Sequence, residues 1–87
     1  MSYVYVVRQQ SIEFPNRFER DVLMCAYTYE STARSKADKY MKELIEQGFE
    51  KHPAMGPWSL RKIESDGIHE TYITIKIQPL ELDRSYV

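Results

Sequence analysis

The reactive side chains are few: Cys25, His52, His69 and a scatter of carboxylates. A hydrolytic centre needs a nucleophile beside a base, an orienting group and donors for developing charge. Cys25 lies in the apolar run VLMCA, where a thiol packs rather than reacts. His52 adjoins Pro53, and His69 follows Ile68 just after the Asp66-Gly67 pair, so each has a turn position and no partner motif. Neither HExxH nor a close His/Cys cluster occurs, and a lone cysteine excludes an internal disulfide and a multi-cysteine zinc site. The pairs Glu43/Glu46 and Glu64/Asp66 fall on a wet helix face and at a turn. Paired acid catalysis requires carboxyls across a cleft. Gly48, Gly56 and Gly67 are too widely spaced to cradle a phosphate or a dinucleotide. No catalytic residue, metal site or cofactor is expected.

The other chemically dense stretch is HPAMGPW, residues 52–58, which holds two prolines, a glycine, Met55 and the single tryptophan, Trp58. Architecturally, Pro53 and Pro57 restrain a joint between helix and sheet while Met55 and Trp58 close one core edge. Functionally, a proline-restrained aromatic or thioether left exposed makes a rigid contact for a protein partner at low ordering cost.

Size and charge narrow the classes further. The 87 residues suit one small domain, with a modest core and little room for an internal ligand cavity. Twelve basic against 13 acidic residues give a net charge of -1, alternating in sign along the chain. That balance lacks the attractive field of a dedicated nucleic-acid binder. Seven tyrosines, three phenylalanines and one tryptophan are many amphipathic rings for this length, and such rings serve interfaces as well as core borders. No run approaches the roughly 18 apolar residues of a membrane span, and no signal-peptide pattern opens the chain, so a cytoplasmic protein is expected.

These residues must be positioned by an alternation of strands around one helix. YVYVVR (3–8) reads as a strand with Val4 and Val6 on one face and Tyr3, Tyr5 and Val7 on the other. Residues 9–20 read as a long structured connection turning at Pro15-Asn16, with Ile12, Phe14 and Phe18 as local anchors. DVLMCAYTY (21–29) makes a second strand. A helix follows over 32–47, capped by Ser31 or Thr32 and stopped by Gly48, with Ala33, Ala37, Tyr40, Met41, Leu44 and Ile45 on its buried stripe. Its exposed face carries opposite charges four apart at Arg34–Asp38, Asp38–Lys42, Lys39–Glu43 and Lys42–Glu46. WSLRKIES and ETYITIKI then pair around a tight Asp66-Gly67 hairpin, Pro79 interrupts the last strand, and 78–87 form a short extension anchored by Leu80 and Leu82.

The expected fold is therefore α+β, β-β-α-β-β, a four-stranded mainly antiparallel sheet with one helix on one face. One helix leaves the second face uncovered. That face is expected to carry some of Tyr3, Tyr5, Tyr27, Tyr72 and Thr74.

With its VYVV strand, a YES segment leading through Thr32 into a lysine-rich helix, and a closing hairpin, the chain resembles small open-reading-frame proteins of bacterial viruses and mobile elements. The resemblance is one of general architecture over most of residues 3–77. It implies stoichiometric action on a host protein rather than catalysis, and carries over no functional residue. The leading expectation is a non-enzymatic protein-interaction domain, a small inhibitor or adaptor, contacting a host or cellular protein through Tyr3, Tyr5, Tyr72, Met55 and Trp58, and forming a homodimer through the uncovered face. The alternative is a single-stranded nucleic-acid binder that stacks bases on the same tyrosines and holds phosphates with Arg8, Arg17, Arg20, Arg61, Lys62 and Lys76. A small enzyme is the third.

Overall fold

The computed structural model describes residues 2–82. Along the chain run β1 (Ser2–Phe14), β2 (Phe18–Tyr27), α1 (Glu30–Glu46), β3 (Glu50–Lys51), a short 3-10 turn (Pro53–Met55), β4 (Ser59–Ile63) and β5 (Glu70–Leu82). The strands form one sheet in the order β2-β1-β5-β4-β3, with every neighbouring pair antiparallel. The α+β class with one helix and an antiparallel sheet is as expected. The strand count is not: there are five strands, because the residues after Gly48 supply an additional edge strand, β3.

The largest departure is the supposed connection at 9–20. β1 continues to Phe14 and β2 begins at Phe18, so only Pro15, Asn16 and Arg17 turn the chain. The Phe14–Pro15 peptide bond is cis, and Arg17 takes a left-handed φ of 49°. Polar residues conceal this part of the strand. Gln9, Gln10 and Ser11 break the apolar alternation, yet Gln10 Nε2 donates to Asp21 Oδ2 at 3.1 Å and Arg8 Nε donates to Asp21 Oδ1 at 3.2 Å. Asp21 gains these donors only because β2 lies alongside, and its carboxyl is held below its ordinary range first by Gln10 and then by Arg8.

Pro79 does not end the last strand either. Ile75 N–H donates to the Trp58 carbonyl, so the odd-numbered amides of β5 point towards β4. β4 pairs only with Glu70–Thr74, so by Pro79 that side has no strand to receive a donor. The proline's missing N–H falls there, and pairing with β1 runs on through Tyr5↔Pro79 to Ser2↔Leu82. Residues 78–82 thus belong to the sheet rather than to an extension. The expected polar end, 83–87, lies outside the described residues.

Directly opposed residues of an antiparallel pair share a face. Val7 stands opposite Cys25 on β2 and Ile77 on β5, and Leu60 stands opposite Ile73. These residues define the face that α1 covers. The core is Val7, Leu60 and Ile75 from the sheet against Ala33, Ala37 and Met41 from the helix, flanked by half-buried Tyr5, Cys25, Tyr27, Tyr40, Leu44, Phe49, Trp58 and Ile77. The two alanines let the helix approach the strands closely. Ile45, expected in the stripe, is exposed instead.

The helix begins at Glu30, with Tyr29 at the N-cap position making no side-chain cap bond, so Ser31 and Thr32 lie inside the first turn rather than before it. Arg34 pairs back to Glu30 at 2.8 Å instead of forward to Asp38, because Asp38 accepts the Trp58 indole N–H at 2.9 Å. The C-terminal end stops as expected. Gly48, at φ 102°, donates to the Ile45 carbonyl while Phe49 donates to that of Leu44, the paired bonds of a Schellman stop. Lys62 on β4 donates to the Gln47 carbonyl at 3.3 Å, placing a cation at the negative end of the helix dipole.

Candidate protein-interaction surface

HPAMGPW is not the joint between helix and sheet. That joint is Gly48, and HPAMGPW is the loop of the β3–β4 hairpin. Glu50 pairs with Arg61 and Lys51 with Leu60, and the ladder continues one step further as His52 N–H donates to the Ser59 carbonyl at 2.8 Å. Pro53 opens the 3-10 turn, Met55 and Gly56 donate back to the His52 and Pro53 carbonyls, and Gly56 leaves the turn at φ 132°. A Cβ on Gly56 would stand 3.5 Å from Ser59 Oγ, so the loop folds back over β4 on the side away from α1. Beneath it, Ser59 is buried and its hydroxyl meets that of Thr74 at 3.2 Å.

The two side chains singled out in this loop go to opposite sides. Trp58 packs into the core on the helix side, tethered by Asp38. Met55 is 47% exposed and lines a concavity of about 610 Å³ on the open face. Three connections build its rim: Met55 from the β3–β4 loop, Pro15 from the β1–β2 turn with Phe14 at the end of β1 beside it, and Ile68 from the β4–β5 turn. Its remaining lining is Ile12, Tyr72 and Glu70, from the strand ends. Tyr72 is held by edge-on rings on either side, Phe14 at 5.8 Å and His52 at 5.6 Å, while its hydroxyl donates to Glu70 Oε2 at 3.2 Å. The result is an apolar cup with one carboxylate in its lining. It can take an apolar side chain and hold a cation or a donor beside it.

The expected tyrosine face is not assembled. Tyr3 and Tyr5 share the parity of Val7, and Tyr5 packs with Tyr27 against the core, whereas Tyr72 stands opposite Ile12 on the other face. Of the five expected contacts, only Met55 and Tyr72 come together. The stacking platform drawn for single-stranded nucleic acid loses the same tyrosines. Arg8 and Arg17 of its proposed phosphate contacts are bonded to Asp21 and Glu19, and Arg20 lies over the Phe18 ring at 5.2 Å. Sequence reasoning named Ile12 and Phe14 only as loop anchors, although both continue the even-numbered series of Val4 and Val6. Ile68 carried no signal beyond an apolar residue next to a turn.

The reactive side chains remain scattered. Cys25 Sγ lies 3.8 Å from Tyr40 Oη on the helix side, and burial, with the Cys25 contact next, pushes the Tyr40 hydroxyl up to about 12. At the β4–β5 turn Asp66 Oδ1 accepts the amides of His69 and Ile68, while Oδ2 contacts His69 Nδ1. These bonds, the backbone ones first, bring the Asp66 carboxyl down to about 2. The turn spans Glu64–His69, closed by Glu64 N–H to the His69 carbonyl, and is wider than the tight hairpin expected. Asp66 serves this closure with both oxygens. Among the described residues, no group of three or more His, Cys, Asp or Glu is arranged to hold a metal ion, and no helix is long and apolar enough to cross a membrane.

Comparison with protein-family models, curated proteins and solved structures returned no match.

Proposed function

We propose that the protein is a non-enzymatic interaction domain, an inhibitor or adaptor that binds a cellular protein through the cup formed by Ile12, Phe14, Met55, Ile68 and Tyr72. The observation that carries this reading is the cup itself: an apolar concavity on the face the helix leaves bare, rimmed by three connections. Ile68 at 65% exposure and Met55 at 47% contribute little to the core, so their exposure is explained by a contact outside the chain. The occupant that fits is an apolar anchor residue next to a lysine or arginine, which the Glu70 carboxylate would receive. Rigid framing by Tyr72 and the pinned HPAMGPW loop lowers the ordering cost of binding.

The test is capture from a native lysate, with nuclease treatment in parallel, by the protein and by Ile68→Asp and Met55→Ala. A nuclease-resistant partner retained by the parent and lost by Ile68→Asp, with the cooperative melt intact, is the expected result. Equal retention by all three, or capture that depends on nucleic acid, overturns the reading.

A further inference from the structure

Three methionines lie among the described residues, and the fold gives each a different setting. Met41 of α1 is 7% exposed, in the core. Met24 is 38% exposed on β2, at the bulge where the register shifts between Val7 and Arg8, and takes no part in the cup. Met55 is the most exposed at 47%, and it alone of the three lines the cup. It is also held there. Its N–H donates to the His52 carbonyl at 3.2 Å and that of Gly56 to the Pro53 carbonyl at 3.1 Å, inside a loop closed by the His52–Ser59 bond. A thioether in that position is open to oxidants in solution, and its backbone does not carry it into the core.

We propose that Met55 is a site of reversible oxidation and that its conversion to the sulfoxide turns the cup off, an inference that rests on the cup being the binding surface. The co-reactant is a peroxide. The Met55 sulfur attacks one peroxide oxygen, the S–O bond forms as the O–O bond breaks, and the sulfur gives up two electrons. The leaving oxygen takes the proton of the transferred one and departs as water, or as an alcohol from an organic hydroperoxide. A thiol-dependent sulfoxide reductase reverses the change, two thiols becoming a disulfide while the oxygen leaves as water. The lining decides the consequence. A sulfoxide oxygen is an acceptor that needs a donor once water is excluded. Among the described lining residues the one side-chain donor is the Tyr72 hydroxyl, which is already given to Glu70. Ile12, Phe14, Pro15 and Ile68 offer none, and the Glu70 carboxylate is a second acceptor. An occupant entering the oxidised cup therefore strips water from an oxygen and finds nothing in the lining to replace it.

The test uses the whole chain, hydrogen peroxide and Nile red, an uncharged dye that fluoresces in apolar surroundings. Peptide mass mapping follows oxidation at each methionine, and dye titration reads the cup, in the parent, Ile68→Asp, Met55→Leu and Met24→Leu. Met55 should oxidise faster than Met41 by roughly 10-fold or more. The oxidised parent should bind the dye roughly 10-fold more weakly with its cooperative melt unchanged, and should recover on treatment with methionine sulfoxide reductases and dithiothreitol. Met24→Leu should follow the parent, whereas Met55→Leu should keep its affinity through the peroxide. Met55→Gln, which places a polar amide there without any oxidant, should bind weakly from the start. Equal dye binding by the unoxidised parent and Ile68→Asp would remove the cup as the binding surface, and the switch with it. Loss of the dye in Ile68→Asp, but retention by the fully oxidised parent or loss in peroxide-treated Met55→Leu, overturns the switch alone. Oxidation of Met55 no faster than that of Met41 does the same.

Discussion

Replacing Trp58 and Met55 separately tests whether one seven-residue loop divides its work between the core and the surface. Trp58→Ala removes a ring packed against the helix and the indole N–H that donates to Asp38 at 2.9 Å. A fully buried tryptophan costs about 3–5 kcal/mol on truncation, and the half-buried Trp58 should lose about 1.5–3 of that in packing. The bond to an accessible carboxylate adds about 0.5–1 kcal/mol. The sum, about 2–4 kcal/mol, corresponds to a fall in Tm of roughly 10–30 °C for a domain of this size. The backbone bond from Ile75 to the Trp58 carbonyl is untouched by the substitution. Met55→Ala shortens a side chain that is 47% exposed, and should cost less than about 1 kcal/mol. Thermal and urea denaturation of both variants measure the difference, and Trp58→Phe, alone and combined with Asp38→Ala, isolates the hydrogen bond. Losses within about 0.5 kcal/mol of one another would refute the division, since no single packing environment would then separate the two positions.

Three further outcomes follow from the same geometry. Asp66 titrates at about 2 in the fold against an ordinary 3.8, so its stabilisation is complete above that ordinary value and is lost as pH falls towards 2; the gap in urea midpoint between the parent and Asp66→Ala should narrow over that interval. Tyr40, raised from 10.0 to about 12, favours the fold while neutral, so stability should decline as pH rises between those values, less steeply in Tyr40→Phe, and tyrosinate absorbance should show the slowest-titrating ring gone from that variant. Gly48→Ala meets only ordinary contact, with Lys62 Cε at 3.6 Å, but must hold φ 102°, so it should destabilise by about 1–2 kcal/mol through backbone strain alone, measured by urea denaturation.

The parts of the fold legible in the sequence are those where one periodicity dominates. Ala33, Ala37 and Met41 recur at helical spacing and form the buried stripe, and Ile73, Ile75 and Ile77 alternate towards it. The stop at Gly48 was equally legible, because only a residue tolerant of left-handed φ ends a helix in this way. The long β1–β2 hairpin was hidden because its partners are polar and non-local: Gln10 and Arg8 read as loop until Asp21 is placed beside them. β3 was hidden because two charged residues carry no alternation at all. The site failed for a different reason. Grouping the tyrosines by residue type ignored register, and the pairing Ile12↔Tyr72 puts Tyr72 on the face opposite Tyr5.

The same register explains why the cup sits where it does. The even-numbered series of β1 begins at Val4 and Val6, becomes polar at Arg8 and Gln10, and turns apolar again at Ile12 and Phe14. In the polar middle of the open face, Arg8 is tied to both Asp21 and Gln78. A sheet face that needed only solvation would continue in that manner to its end. Instead, apolar side chains return where three connections meet, and the β3–β4 loop is fastened at its base by the His52–Ser59 bond, with Met55 turned towards Tyr72. The loop is fixed on the helix side by the bond from Trp58 to Asp38, which also holds its open-face side in place. The tryptophan supplies the anchorage while the methionine lies exposed at the cup, and neither residue could exchange sides without a shift of the hairpin by one residue.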